Sequence, residues 1–178
     1  MESIREIYRV GQGPSSSHTM GPAKASRMFL EKYPAADHYR VTLYGSLAAT
    51  GKGHLTDEAV LRAFHGRKTE LAWEPAVFLP RHPNALKFEA FGASGEPAGE
   101  WTAYSVGGGS VVDDQTVSET VHVYPHSTME AILDYCHENG LRFWEYIERH
   151  EGAGIWEFLE EIWKVMHQSI RRGLESEG

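Results

Sequence analysis

The sequence predicts an α+β protein with a mixed or antiparallel sheet of about four or five strands, helices on one face, and a C-terminal helical extension. Two observations predict this class. Short segments rich in β-branched and aromatic residues recur as far as residue 124. From residue 127 the apolar residues instead recur at three- and four-residue steps, the period of a helix. We therefore predict a single domain, residues 1–178, with an α+β core (1–126) and a helical extension (127–178).

Composition and charge limit the classes of function. The chain has 178 residues, 41% of them hydrophobic, which suits an ordinary globular protein. Its net charge of −8 argues against nucleic acid and anionic membrane surfaces as partners, because both attract basic proteins. Cys136 is the single cysteine, which excludes an internal disulfide and fits a reducing cytosol. We see no leader segment and no apolar run long enough to span a membrane, so we expect a cytoplasmic protein.

The first predicted helix covers residues 19–33 and follows a run of hydroxyl side chains. Ser15, Ser16 and Ser17 precede His18, and serine is a favoured N-cap residue. The free N–H groups and the positive dipole end of a helix attract a carboxylate or a phosphate. This stretch is therefore a candidate site for an anion and for proton transfer, with an ordinary capped loop as the alternative.

A strand and a second helix come next. Residues 39–44, YRVTLY, alternate and are rich in residues that favour strands. Thr56 or Asp57 caps the next helix, which carries acidic residues in its first turn and ends at Gly66.

Between them, residues 45–60 contain a glycine-rich loop with Lys52 and His54. Glycine lets a backbone approach a ligand closely, so His54 is a candidate functional residue, although a histidine that simply packs in a turn is the alternative. The loop is not a phosphate-binding P-loop, because five residues rather than four separate Gly45 from Gly51.

The rest of the predicted sheet lies between residues 67 and 124. Residues 67–74 are expected to be a linker, and residues 75–79 the start of a strand. Residues 85–92 and 100–106 alternate clearly and predict a hairpin. Residues 121–124 are a further short strand candidate.

Three glycines follow the second hairpin strand. Gly107, Gly108 and Gly109 interrupt what would otherwise be one long strand, which resumes at residues 110–112. Glycines in a sheet suggest a bulge or the close approach of another backbone, and a plain flexible turn is the alternative.

The C-terminal region predicts three helices. Ser127 or Thr128 caps the first, which runs from residue 127 to a glycine stop at residue 140 and should bury its cysteine as an inert thiol. Residues 141–150 and 154–172 predict two further amphipathic helices.

These motifs together resemble the beta domain of iron–sulfur-dependent L-serine dehydratases. Residues 13–25, GPSSSHTMGPAKA, are similar to the opening signature of that family. Residues 45–47, 50–54 and 56–57 are similar to its second signature, and residues 105–109 to a Ser-x-Gly-Gly-Gly segment. The resemblance covers nearly the whole chain.

The resemblance implies an activity, a substrate and a partner. L-serine dehydratases (L-serine ammonia-lyases) convert L-serine to pyruvate and ammonia without pyridoxal phosphate, in amino-acid degradation and gluconeogenesis. Their 4Fe–4S cluster would sit on an alpha domain or subunit absent here, since a cluster needs several thiolates and this chain has one cysteine. An open iron of that cluster can act as a Lewis acid on the serine hydroxyl. The isolated chain would be inactive, and a homodimer is expected.

The chain end also resembles the family. Residues 171–178 are similar to the place where single-chain dehydratases pass into the alpha domain, so we favour a piece of a longer protein, with a natural short subunit left open.

The resemblance also implies the site. His18, His54 and Lys52 are candidates for proton transfer, and their roles are not resolved by sequence. No metal ligand is expected on this chain, because Pro125 forbids a helix that would bring His122 and His126 together. The candidate substrate contacts are Ser15, Ser16, Ser17, Thr19, Gly107, Gly108 and Gly109.

Two other functions remain open. The chain could be a regulatory domain that binds serine or another small anion without catalysis. It could also be an oligomerisation domain that uses the aromatic residues from Trp144 to Trp163.

The catalytic hypothesis requires that the loops around His18 and His54 meet. We do not expect Ser17 and His18 to form a dyad, because sequence neighbours rarely aim at each other.

Overall fold

The computed structural model describes residues 1–116 and 122–176 and confirms the α+β prediction. The chain forms two compact units. The sheet unit is Gly11–Val117, and the helical unit combines Met1–Val10 with Ser118–Gly178. The predicted division near residue 126 stays a prediction, and the structure adds that the first ten residues group with the C-terminal helices.

The sheet has five strands in the order β2-β1-β3-β4-β5. Strands β1 and β2 are parallel, and every other pair is antiparallel, so the sheet is mixed as predicted. Parallel neighbours need a crossover connection, and the segment between β1 and β2 supplies it with two helices. The strands are β1 His38–Tyr44, β2 Lys68–Glu74, β3 Ala85–Phe91, β4 Pro97–Gly107 and β5 Ser110–Asp113.

Helices account for most of the remaining described residues. None of those described is both long enough and apolar enough to cross a membrane. A 3₁₀ turn covers Ile4–Glu6, and a π-helical turn covers Ser16–Met20. The helices are α1 Gly21–Lys32, α2 Gly45–Thr50, α3 Thr56–Ala63, α4 Met129–Glu138, α5 Phe143–Glu151 and α6 Ile155–Glu175.

The core of the sheet unit lies between the three helices α1, α2 and α3 and one face of the sheet. Val41 and Phe88 are paired across β1 and β3, and both are fully buried against helix side chains such as Phe29. The opposite face carries charges, including Lys87 between Glu89 and Glu100. This confirms helices on one face.

Two local predictions are wrong, and one helix was not predicted. Residues 67–74 form the strand β2 rather than a linker, because Leu71 and Trp73 pack against the core from an edge position. Residues 75–79 form no strand, and Phe78 is largely exposed. Residues 45–50, for which no helix or strand was predicted, form the short helix α2, which buries Leu47.

The three glycines turn the chain back rather than interrupting one strand. β4 pairs antiparallel with β5, so Gly108 and Gly109 make a hairpin turn. All three glycines have positive φ, at 107°, 57° and 72°, which side chains other than glycine rarely adopt. The register of the β4–β5 pair shifts between Ser105 and Gly107, so a bulge or irregularity lies beside the turn that was the alternative prediction.

The helical unit has its own core, formed by Tyr124, Ile132, Cys136 and Tyr146. Cys136 is buried, as predicted. The Thr128 hydroxyl caps α4 by accepting from the Ala131 N–H at 3.2 Å. Part of the candidate strand 121–124 lies outside the described residues, and within them His122 bridges to Glu2.

Candidate active site

The serine-rich segment folds as a π-helical turn that leads directly into α1. Ser15 is extended, and its Oγ accepts from the His18 N–H at 3.1 Å, as an N-cap side chain does. The Met20 N–H reaches back to the Ser15 carbonyl at 3.1 Å, and the Gly21 N–H reaches the Ser16 carbonyl. π-turns inside helices are rare and are frequent at functional sites.

The second segment is the loop between α2 and α3 in the crossover. The Thr56 N–H donates to the Gly51 carbonyl at 2.8 Å, which closes the loop tightly around His54. Leu55 stands in the left-handed region at φ 55°, an uncommon conformation for a branched side chain. This turn places the carbonyl of His54 and the side chain of Thr56 toward the π-helical turn.

Two threonines join the segments. The Thr19 hydroxyl donates to the His54 carbonyl at 2.8 Å, and the Thr56 hydroxyl donates to the His18 carbonyl at 2.6 Å. Both threonines are buried, so these bonds satisfy carbonyls that would otherwise be costly to bury. Each threonine thus holds the backbone of the histidine on the other segment.

The two imidazoles lie side by side. The ring centroids of His18 and His54 are 4.7 Å apart, and the rings are inclined by 36°. The structure therefore brings together the two loops that the catalytic hypothesis requires to meet. The chemical roles of these residues stay predictions.

Both ring nitrogens of His18 are hydrogen-bonded to serine hydroxyls. Nδ1 lies 2.9 Å from Ser17 Oγ, and Nε2 lies 3.0 Å from Ser46 Oγ. Ser17 and His18 are therefore hydrogen-bonded although they are neighbours in sequence, whereas the expectation that they form no catalytic dyad stays a prediction. Because Ser15 caps the His18 N–H, the turn is tight enough for adjacent side chains to meet.

Burial lowers the pKa of His18 below its ordinary value, and positive charge on His54 lowers it further. Desolvation disfavours the charged imidazolium, and a second cation nearby has the same effect. His18 is therefore a neutral imidazole at neutral pH.

His54 makes a different kind of hydrogen bond. Its Nδ1 lies 3.1 Å from the Thr50 carbonyl, which can only accept. Nδ1 therefore carries the proton of the neutral ring, and Nε2 carries the lone pair. Among the described residues, Nε2 of His54 has no hydrogen-bond partner.

Lys52 lies beside His54 at the edge of a shallow depression of about 410 Å³. Its side chain is exposed, and its Nζ lies 5.8 Å from the centre of the Trp73 ring. Among the described residues it forms no ion pair. A cation with an open approach suits an incoming carboxylate.

The remaining predicted residues are less closely involved. Ser16 is exposed and its hydroxyl makes no hydrogen bond within the described chain. The turn formed by Gly107, Gly108 and Gly109 lies beside Met20, since a Cβ at Gly109 would be 3.5 Å from the Met20 methyl.

Sequence reasoning missed three residues around this site. Ser46 and Thr56 contact His18, and both lie in the segment that follows β1. Their position in the second signature was the available signal. Ser105 is fully buried and packs against Gly21 at the end of the π-helical turn, and its hydroxyl has no hydrogen-bond partner among the described residues.

The chain is not suited to hold a 4Fe–4S cluster. A cluster needs several thiolates, and the single cysteine, Cys136, is buried in the helical unit against Tyr146 and Ile132. Within residues 1–116 and 122–176, no three side chains of His, Cys, Asp or Glu form a group able to hold a metal ion.

The fold and the site define a class: an α+β module with two adjacent imidazoles surrounded by hydroxyl side chains. The model of the serine dehydratase beta chain family matches this chain over residues 3–72 and 63–116. The chain therefore belongs to the serine dehydratase beta chain family.

Individual relatives agree with the family match. An L-serine dehydratase of Streptomyces coelicolor is 33% identical over 229 aligned positions, which cover 99% of this chain and 50% of the relative. An L-serine dehydratase of Haemophilus influenzae is 29% identical, and the alignment covers 100% of this chain and 50% of the relative. An L-serine dehydratase of Helicobacter pylori is 32% identical over 197 positions, which cover 85% of this chain and 43% of the relative. The chain thus spans about half the length of these relatives.

Proposed function

We propose that this chain supplies the polar half of the active site of an L-serine dehydratase, which converts L-serine to pyruvate and ammonia. One observation carries the proposal. The two segments that resemble family signatures, far apart in sequence, place His18 and His54 with ring centroids 4.7 Å apart. The names of the relatives support the choice of L-serine as substrate.

The substrate carboxylate pairs with groups on the exposed side of this site. The Ser16 hydroxyl is free to donate, and the Lys52 ammonium has an open approach beside His54. A carboxylate gains more from a charged partner than from a neutral donor, so we assign Lys52 the larger share of binding.

His54 is the group that removes the α-proton. Its Nδ1–H is fixed on the Thr50 carbonyl, so the lone pair on Nε2 is available to a bound substrate. The Cα–H bond breaks with its proton going to Nε2, the electron pair forms the Cα=Cβ bond, and hydroxide leaves Cβ. The resulting enamine tautomerises to an imine, which water hydrolyses to pyruvate and ammonia.

His18 supports His54 rather than replacing it. Both of its ring nitrogens are occupied by hydroxyls, so neither is open to substrate. Its neutral ring keeps a second positive charge away from the base. We also reassign Thr19 and Ser15 from substrate contacts to holding the loops, since their hydroxyls already bond within the chain.

The acid that assists the departing hydroxide would lie on the other half of the enzyme. The 4Fe–4S cluster that the family resemblance implies would also be held there, since this chain provides no set of thiolates for it.

The test uses the complete enzyme, with this chain joined to or combined with its partner half. We expect His54→Gln to lower kcat/KM for L-serine by about a hundredfold or more, the usual contribution of a general base. His38→Gln is the matched control, because His38 stacks on Phe91 at the start of β1, whereas Ser46 and the site follow the end of that strand. A His54→Gln enzyme within about threefold of wild type would contradict this assignment.

A further inference from the structure

The hydrogen bonds of His18 are unusually complete for a half-buried side chain. Its backbone N–H is capped by Ser15, its carbonyl accepts from Thr56, and its two ring nitrogens meet Ser17 and Ser46. Every polar atom of the residue is thereby engaged within the sheet unit. The proposed chemistry gives no role to the hydroxyl of Ser46.

The backbone of Ser46 is fixed by two hydrogen bonds and by the tight turn at Gly45. Its N–H donates to the Pro83 carbonyl at 3.1 Å, and its carbonyl accepts from the Thr50 hydroxyl at 2.9 Å. Gly45, just before it, has φ 49°, and a Cβ there would stand 2.7 Å from the Pro83 carbonyl oxygen. The tight turn at the end of β1 therefore aims Ser46 at the ring of His18.

We propose that Ser46 is a positioning residue: with Ser17 it holds the ring of His18 in one orientation, and the two hydroxyls together determine the balance between its two tautomers. A neutral imidazole has one N–H and one lone pair, and a hydroxyl can complement either. With a hydroxyl at each end, the ring is satisfied in a single orientation next to His54. The consequence for catalysis rests on the proposed function, whereas the effect on the ring does not.

The inference predicts opposite effects for the two serines. An N–H without an acceptor costs more than an unused lone pair, so the proton moves to the nitrogen that keeps its hydroxyl. In Ser46→Ala the remaining hydroxyl lies at Nδ1, which favours the Nδ1–H form. In Ser17→Ala it lies at Nε2, which favours the Nε2–H form.

The experiment is ¹⁵N NMR of the histidine side chains in the 178-residue chain, at a pH where His18 is neutral. We expect the Nδ1–H share of His18 to be larger in Ser46→Ala than in Ser17→Ala. Ser94→Ala, in the turn between β3 and β4, is the control and should match wild type. Equal tautomer ratios in the two variants would overturn the proposal.

Kinetics in the complete enzyme separate this inference from the proposed function. We expect Ser46→Ala to lower kcat/KM on the order of ten- to a hundredfold and to change its pH profile, with recovery in Ser46→Thr. A tautomer shift without any kinetic effect would keep Ser46 as the positioning residue and remove His18 from the chemistry. A kinetic loss with unchanged tautomers would refute the positioning role alone.

Discussion

At the residue scale, His18 and His54 differ in how their hydrogen-bond partners constrain the position of the ring proton. A carbonyl fixes the proton of His54 on Nδ1, whereas hydroxyls at both nitrogens of His18 accept either arrangement. The sequence shows only two histidines in polar loops. Their difference arises from contacts with Thr50 and Ser46, which no local pattern specifies.

The influence of one imidazole on the other can be measured. We expect the His18 pKa in the folded chain to lie below the ordinary value of about 6.5. His54→Gln should raise this pKa, because it removes a neighbouring positive charge. NMR titration of the His18 ring measures it, with His38→Gln as a control that should leave the His18 midpoint unchanged. A His18 pKa that stays constant in His54→Gln would show that the charges do not interact.

At the element scale, the site depends on how the π-helical turn and the crossover loop are held together. Thr56 is fully buried and donates to the His18 carbonyl at 2.6 Å. Thr56→Val keeps the shape but leaves that carbonyl without its donor. We expect the free energy of unfolding to fall by about 1–3 kcal/mol in urea denaturation. Thr102→Val, on the opposite face of the sheet, should change it by less than about 0.5 kcal/mol.

Gly21 and Ser105 form a second point of contact for the π-helical turn. A Cβ at Gly21 would collide with the Ser105 side chain, so Gly21→Ala should destabilise the chain by about 1–3 kcal/mol through overpacking. Ser105→Gly opens the required space. In a double-mutant cycle, Gly21→Ala should therefore cost less in the Ser105→Gly background than in wild type. Equal costs in both backgrounds would show that the contact is unimportant.

The periodicity of apolar residues predicted the helices and strands that carry a clear period in their own sequence. It missed β2 and α2, whose structure depends on where they pack in the fold. β1, β3 and α6 carry clear two- or 3.6-residue periods. β2 is an edge strand, half-buried through Leu71 and Trp73, so its alternation is weak. α2 has six residues and begins with a glycine of positive φ, which gives it no helical signature.

The candidate site was predictable to the extent that its residues lie within the two polar loops. Ser15 and Thr56 were both identified as capping residues, but Thr56 instead bonds to the carbonyl of His18, 38 positions away. Ser46 reaches the same residue across 28 positions. Such contacts follow from strand order and crossover geometry, which the sequence alone did not specify.

At the scale of the whole molecule, the chain's first residues belong with its last helices. The Glu151 side chain is buried in the helical unit and accepts from the Ser3 hydroxyl, the Ile4 N–H and the Tyr124 hydroxyl. The amino group of Met1 donates to the Tyr124 carbonyl at 2.8 Å. These hydrogen bonds, together with the ion pair between Arg5 and Glu151, fix the N-terminal segment to the helical unit.

This buried carboxylate gives a pH-dependent prediction. Burial alone would raise the pKa of Glu151, but hydrogen bonds from Tyr124, Ser3 and Ile4 outweigh it and lower the pKa. Its contribution to stability is therefore full above the unfolded value of about 4.3 and is lost as pH falls through the folded value. At neutral pH, Glu151→Gln should cost about 2 kcal/mol of unfolding free energy.

The difference between wild type and Glu151→Gln should shrink as the pH is lowered below about 4.3. Glu138→Gln, at the exposed end of α4, is the control and should follow wild type at every pH. A difference that stays constant from neutral to acidic pH would mean that the ionised carboxylate is not what stabilises the unit.

The expected homodimer stays a prediction, which sedimentation of the chain can test.

The crossover between the parallel strands has a consequence for folding. Thr19 and His54 are 35 positions apart, and the loop that bears His54 lies in the crossover between the parallel strands β1 and β2. Closing such a connection is entropically expensive, and long-range parallel pairing is slow. The pair of imidazoles should therefore assemble late during refolding, after α1 has formed. Short synthetic peptides that contain only one of the two polar loops should show none of the hydrogen bonds that join the loops.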